Sequence, residues 1–209
     1  MILEFLHGEV YMRGRRVIYE YMKRFLDVVL SAALLILLLF PMFLIAVAIR
    51  CDSAGGALFI QVRLGRDLRP FRICKFRTMR LTAPHDCPSR ALVGDRRAEA
   101  LTRVGRFLRR TSLDELPQLW NVLRGEMSLV GPRPIIPRET ELHAFRRAWG
   151  ATGVRPGITG LAQTVGRDEI DVRSKAWLDA LYAANCSFVM DVRVLLRTVG
   201  AIFCGYGCN

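Results

Sequence analysis

Apolar residues run unbroken from Val28 to Ile49, VVLSAALLILLLFPMFLIAVAI, with no charge in the stretch. At ~1.5 Å per residue, a straight helix of this length crosses a ~30 Å hydrocarbon core. The run is long for the apolar part of a signal peptide and no small-residue cleavage site follows it, so a membrane helix is predicted. After it the pattern changes. Residues 57–79 mix β-branched and aromatic residues with basic ones around Gly65-Arg66-Asp67, which predicts a short hairpin. Residues 80–100, with Pro84, Pro88 and Gly94, read as a surface loop. Thr102–Arg110 reads as a short basic helix or turn, Leu116–Arg124 as a helix ending near Gly125, and Glu139–Trp149 as another helix. Between the last two, 131–138 holds three prolines and cannot be regular helix. A glycine-rich loop, VRPGITGLAQTVGRD, follows. Residues 171–203 are then largely helical and amphipathic, with Trp177, Leu178, Leu181, Tyr182, Phe188, Leu195, Leu196 and Phe203 on apolar faces. Such helices suit either a membrane interface or the cover of an ordinary core. The pattern predicts a mainly α chain, α+β with a small β-hairpin.

Pro41 interrupts the apolar run. It lacks an N–H and its ring crowds the preceding turn, so a kink or break is expected there. The flanks matter as much. Arg13, Arg15, Arg16, Lys23 and Arg24 precede the segment; Arg50, Arg63, Arg66, Arg69, Arg72, Lys75 and Arg77 follow it. The tendency of cations to stay cytoplasmic holds both ends on one side. A re-entrant hairpin bent at Pro41 satisfies both ends; a kinked crossing satisfies one.

Charge narrows the partners. The chain has 31 Lys+Arg against 19 Asp+Glu, a formal net charge of +12. That excess favours anionic partners: phosphorylated metabolites, acidic lipid surfaces or nucleic acid. Arg far outnumbers Lys, and Arg suits bidentate phosphate contacts. The six cysteines form no CxxC pair, which fits a reducing compartment better than a disulfide framework.

The stretch RRTSLDELPQLWNVLRGEMSLVGPRP sets two adjacent carboxylates, Asp114 and Glu115, among arginines. Ser112 and Glu115 have capping-box spacing. A helix started by Ser112 would, however, put Pro117 where an N–H is needed, so a start at Leu113 or Asp114 fits better, with Asp114 a candidate N-cap. Capping explains one carboxylate. Two together, ionised by nearby guanidinium groups, can share a hard cation such as Mg²⁺ or attack phosphorus.

KFRTM (Lys75–Met79), the stretch just quoted, and VRPGITG followed by Ala162-Gln163 together resemble the bacterial sugar transferases, the monotopic phosphoglycosyl transferases acting on polyprenol phosphate. The resemblance spans roughly Tyr21 to Phe203. It implies a basic N-terminal segment at 1–24, a proline-kinked re-entrant membrane helix at 25–50, a compact cytoplasmic and interfacial catalytic domain at 51–203, and a tail at 204–209. It implies transfer of a sugar-1-phosphate from a nucleotide diphosphate sugar, commonly a UDP-sugar, to undecaprenyl phosphate at the cytoplasmic face of the bacterial inner membrane. This is the first membrane step of a polysaccharide or glycan, and it releases UMP. Asp114 matches the nucleophile that becomes a phosphosugar-aspartyl ester. Glu115 matches its partner acid, and the pair would hold Mg²⁺. Lys75, Arg109 and Arg133 match phosphate-handling positions. Arg77, Arg110 and Arg155 are seconds, and Gln163 and Arg167 are substrate contacts on the glycine-rich loop. Membrane lipids are partners under this reading, nucleic acid is not, and the oligomeric state stays open. The loop departs from the usual family pattern at Leu161, Thr164, Val165 and Asp168, so the identity of the sugar is not carried over. Phe40 stands before the kink proline where many relatives have serine. The alternative is a membrane-anchored basic module that binds anionic lipid or nucleic acid without catalysis; an enzyme moving the sugar alone would release UDP.

Overall fold

The computed structural model describes residues 2–82, 100–166 and 170–203, with side chains described from 17 to 201 within those ranges. Helix dominates. The first element, α1, runs Ile2–Asp52 and carries Pro41 in its interior. The sequence predicts a kink or break at Pro41; the helix is not broken there, and residues on both sides of the proline are α-helical. A proline costs one intrahelical bond, and the helix keeps its others.

Two regions of α1 grip the rest of the chain. Just before the apolar run, Tyr19 Oη and Lys23 Nζ donate to Asp191 Oδ2 at 2.8 and 2.7 Å. Arg24 donates to the carbonyls of Val122 and Leu123 at 2.5 and 2.7 Å, and Asp27 Oδ1 accepts from the Leu129 N–H at 3.1 Å. Beyond Pro41, Ile49 is buried against Phe76 and Leu108, with Met42, Ile45 and Ala46 packed around them. Other faces of the helix present Ile36, Leu37, Leu39, Phe40 and Phe43 to the outside, each more than half exposed. An apolar surface of this size marks contact with something other than water.

The predicted hairpin is present. Strands β1 (Leu58–Leu64) and β2 (Pro70–Phe76) pair antiparallel, Leu58 opposite Phe76 and Phe59 opposite Lys75. Chain reversal occurs at a 3-10 turn, Arg66–Leu68, in which Asp67 and Leu68 take left-handed φ. Helix α2 (Arg103–Thr111) starts at Thr102, whose hydroxyl accepts from the Gly105 N–H at 2.9 Å. A 3-10 turn, Leu113–Glu115, leads into α3 (Gln118–Leu123). Phe71, Ile73, Val122 and Met127 form one buried cluster, which binds α3 to the hairpin. Burial of such side chains contributes about 1.5–3 kcal/mol each.

A second sheet was not read from the sequence. Strand β3 (Ser128–Val130) pairs parallel with β4 (Gly157–Thr159). A Cβ on Gly157 would lie 2.1 Å from the Gly131 nitrogen, so only glycine lets the two segments meet. Between these strands lies α4 (Thr140–Ala148); after them come α5 (Leu161–Val165), α6 (Val172–Ala184) and α7 (Phe188–Phe203). The last two helices differ in what they bury. Helix α6 buries Ala176, Asp179 and Tyr182, whereas α7 buries Val194 and exposes Val189, Val192, Leu196 and Val199. The proposed tail, 204–209, lies outside the described residues, as does most of the predicted loop (83–99).

Gly105 sets how closely α2 approaches the end of β2. A Cβ there would meet the Thr78 carbonyl oxygen at 2.0 Å. Gly105→Ala is expected to push α2 away from Thr78 and to destabilise by about 1–3 kcal/mol. A fall of several degrees in the thermal midpoint of the detergent-solubilised protein is the check; an unchanged midpoint would show the contact to be yielding.

Candidate functional site

Asp114 and Glu115 stand on the short 3-10 turn between α2 and α3. The turn arises because Ser112 takes a left-handed conformation (φ 59°, ψ 15°) that ends α2, its N–H bonding to the Arg109 carbonyl at 3.3 Å. Pro117 then occupies the N-cap of α3. Neither carboxylate caps a helix: Ser112 makes no side-chain cap bond, and Asp114 precedes α3 by a full turn. The N-cap role considered for Asp114 is therefore not the one it has.

The two acids are held very differently. Glu115 Oε1 accepts from Lys75 Nζ at 2.7 Å and from Arg133 at 3.1 Å, with all three side chains largely shielded from solvent. Burial alone raises the Glu115 carboxyl. The Lys75 ammonium and the Arg133 guanidinium, with hydrogen bonds from both, outweigh it and hold the group down at about 2. Asp114 accepts no hydrogen bond and forms no ion pair among the described residues. Burial pushes its carboxyl up and the neighbouring Glu115 charge adds to this; Lys75, Arg109 and Arg133 offset part of the shift. Burial also lowers the Lys75 ammonium, and Glu115 pulls it back up. The result is a fixed anion beside a free one, ringed by cations.

Each cation comes from a different element. Lys75 is on β2, whose position is set by Asn121 on α3: Asn121 Oδ1 accepts from the Cys74 N–H at 2.9 Å, and its Nδ2 donates to the Arg72 carbonyl at 2.7 Å. Arg109 is on the last turn of α2 and donates Nε–H to Thr78 Oγ1 at 3.0 Å. Arg133 lies on the proline-rich turn after β3. Its carbonyl accepts from Arg146 at 3.0 Å, and Arg146 forms a buried ion pair with Asp179 at 2.8 Å. Sequence reading missed Asn121, Thr78, Arg146 and Asp179. They lie far along the chain from what they support, so no spacing could have shown them.

Other predicted site residues lie elsewhere. Arg77 is buried, and its guanidinium donates to the Ser53 carbonyl and hydroxyl at 2.8 and 3.0 Å and to the Ala54 carbonyl, so it caps the end of α1. Arg155 donates to the Gly125 carbonyl at 3.1 Å; burial lowers its guanidinium, with Arg66 and Arg24 as its near cations, which puts it at the seam with the start of α1. Gln163 donates to the Ile158 carbonyl at 3.1 Å, and its Oε1 is buried without a partner. Arg110 is exposed on α2. Arg167 lies outside the described residues.

The donor set admits a hard cation. Glu115 Oε2 and both Asp114 oxygens are unclaimed by other side chains among the described residues. Mg²⁺ characteristically takes one or two carboxylates and completes its shell with phosphate oxygens and water. No group of three or more His, Cys, Asp or Glu among the described residues would hold a metal unaided.

A sequence model of the family described as bacterial sugar transferase matches residues 18–205. The chain is 43% identical over 195 residues to a UDP-glucose:undecaprenyl-phosphate glucose-1-phosphate transferase of Caulobacter vibrioides, covering 90% of this chain and 72% of the relative. It is 39% identical over 203 residues to a UDP-N-acetylgalactosamine-undecaprenyl-phosphate N-acetylgalactosaminephosphotransferase of Aeromonas hydrophila, covering 92% and 46%. It is 38% identical over 198 residues to a UDP-galactose-lipid carrier transferase of Erwinia amylovora, covering 88% and 40%. The chain thus spans less than half the length of the last two.

A carboxylate raised by burial must still lose its proton before it can act. Turnover is therefore expected to fall on acidification at a pH above the ordinary carboxylate range. Arg109→Gln removes a cation that favours the ionised form, so the acid limb of the pH profile of kcat is expected to move to higher pH. A limb that stays in place would exclude Arg109 from the field at Asp114.

Proposed function

The chain belongs to the bacterial sugar transferase family, and from that premise we propose that it transfers a sugar-1-phosphate from a UDP-sugar to undecaprenyl phosphate. The observation that carries this reading is the contrast within the acidic pair: Glu115 is pinned by two cations while Asp114 has no hydrogen-bond or ion-pair partner among the described residues. An unpaired carboxylate among positive charges is suited to attack phosphorus. The relatives named above are phosphosugar and sugar–lipid carrier transferases.

In the first displacement an Asp114 oxygen bonds to the β-phosphorus. The bond from that phosphorus to the bridging oxygen breaks, and UMP leaves with the electron pair. The phosphosugar is then an acyl phosphate on Asp114. In the second displacement an oxygen of undecaprenyl phosphate attacks the same phosphorus and the Asp114 carboxylate departs, restoring the site. Lys75, Arg109 and Arg133 would stabilise negative charge on the phosphoryl oxygens as it redistributes. Glu115 holds Lys75 and Arg133 in place. Asp114 and Glu115 would hold Mg²⁺, whose contribution when bound is to neutralise diphosphate charge.

The acceptor's hydrocarbon tail requires a site at the lipid boundary, and α1 fits that requirement. Ser31 is buried against the folded body and Met42 packs on it again. The interval between them is ~16 Å of helix, about half of a ~30 Å hydrocarbon core. Both ends of the apolar run therefore meet the same domain, which supports a re-entrant segment and, with the flanking cations, a domain on the cytoplasmic face. The exposed apolar face of α7 would lie in the interface.

Membranes carrying the protein, supplied with UDP-sugars, Mg²⁺ and undecaprenyl phosphate, should release UMP. Release of UDP without UMP would exclude phosphosugar transfer. Asp114→Asn is expected to lower kcat on the order of 10⁴-fold or more, because an amide is not a nucleophile toward phosphorus.

A further inference from the structure

Arg63 belongs to none of the stretches that carry the family resemblance, yet the fold brings it to the acidic pair. It lies on β1, and residues directly opposite each other on paired antiparallel strands share a face. Phe59 opposes Lys75, and Phe59, Gln61 and Arg63 alternate onto that same face, so Arg63 and Lys75 are on one side of the hairpin. Two neutral acceptors aim the side chain. Nε–H donates to Gln61 Oε1 at 2.9 Å, and Nη1 donates to the Pro134 carbonyl at 3.3 Å. Gln61 is itself buried, 9% exposed, which makes it a firm support. The bond to Pro134 draws Arg63 next to Arg133, the residue that pins Glu115.

Three features set this guanidinium apart from a structural arginine. It forms no ion pair among the described residues, although it is largely removed from solvent. Burial lowers it to about 10, with Arg133 adding to the shift and Glu139 and Glu115 opposing it. Its second terminal nitrogen makes no hydrogen bond among the described residues and is not sealed from outside. Two guanidinium groups held together repel unless an anion lies between them. The nearby acids are already engaged: Glu115 Oε1 by Lys75 and Arg133, Glu139 by the Ile136 N–H at 2.9 Å. A shielded cation with an open donor and no ion-pair partner among the described residues is a site for an anion that arrives from solution. The planar fork suits phosphate oxygens.

We propose that Arg63 is a further substrate-contacting residue: its open edge binds a phosphate oxygen of the nucleotide diphosphate donor, opposite Arg133, with Gln61 positioning it. The proposal rests on the reading of the site given above. It differs in consequence from the role of Lys75, which is already committed to Glu115.

The test uses the full chain in membranes, with UDP as the competing probe. Arg63→Gln should raise both the inhibition constant of UDP and the KM for the UDP-sugar by roughly tenfold to a hundredfold, the range for hydrogen bonds to charged groups. The KM for undecaprenyl phosphate should stay put, and the thermal midpoint should move little. Arg63→Lys keeps the charge without the fork and should fall between the two; it also serves if the glutamine variant fails to fold. Unchanged UDP inhibition in a folded variant, or a rise confined to the acceptor KM, would overturn the proposal. Asp114→Asn, measured alongside, separates the two claims. If that variant is inactive while Arg63→Gln binds UDP like the unaltered protein, only the Arg63 assignment falls; if Asp114→Asn keeps its turnover, the reading of the whole site falls.

Discussion

The site depends on one shared oxygen. Glu115 Oε1 accepts from Lys75 and from Arg133, and those two cations come from opposite sides, one from the hairpin and one from the turn after β3. Removing Glu115 would strip both cations of their shared acceptor, and breaking a buried ion pair in this way costs about 3–5 kcal/mol in proteins. The arrangement therefore ties together three separate elements at one point. It also leaves Asp114, one residue earlier, with nothing to satisfy it. A carboxylate that is neither paired nor capping, yet surrounded by positive charge, is costly to keep for stability alone. On the proposed reading, a ligand brings phosphorus to it.

The rest of the fold supports that point from behind. Asn121 locks α3 to the edge of β2, so the turn carrying Asp114 and the strand carrying Lys75 move together. The buried Arg146–Asp179 pair reaches the Arg133 carbonyl and so ties the proline-rich turn to α4 and α6. Arg24 and Asp27 attach α1 to α3 and β3, and Ile49 attaches it to the end of β2. A helix with an apolar exterior is thus coupled to a site of fixed charges. That is the coupling the proposed reaction requires, with an acceptor that stays in lipid and a donor that arrives from water.

Much of this was legible in the chain. The uncharged run ending at Ile49, the hairpin around Gly65 and the acidic pair before Pro117 each leave a local signature. What was not legible depends on long-range pairing. β3 and β4 are three residues each, too short for a period to register, and only the glycine at 157 hints at their contact. Arg77 looked like a phosphate ligand because it follows Lys75 in a basic motif; it lies just past the end of β2, where the carbonyls of Ser53 and Ala54 at the end of α1 hold its guanidinium instead. Arg155 is likewise drawn to the Gly125 carbonyl. Arg63 sits in an ordinary basic strand, and only its register against β2 shows that it shares a face with Lys75. Pro41 marked a kink or break by local chemistry, and the helix continues past it.

The account's central claim is that the unpaired carboxylate, and not its pinned neighbour, carries the phosphosugar between donor and acceptor. Rapid quenching of the protein with UDP-sugar in the absence of undecaprenyl phosphate, followed by peptide mass spectrometry, tests it most directly. The account predicts a phosphosugar mass on Asp114 that disappears when acceptor is added. An adduct on Glu115, or turnover to product with no adduct at any time point, would contradict it.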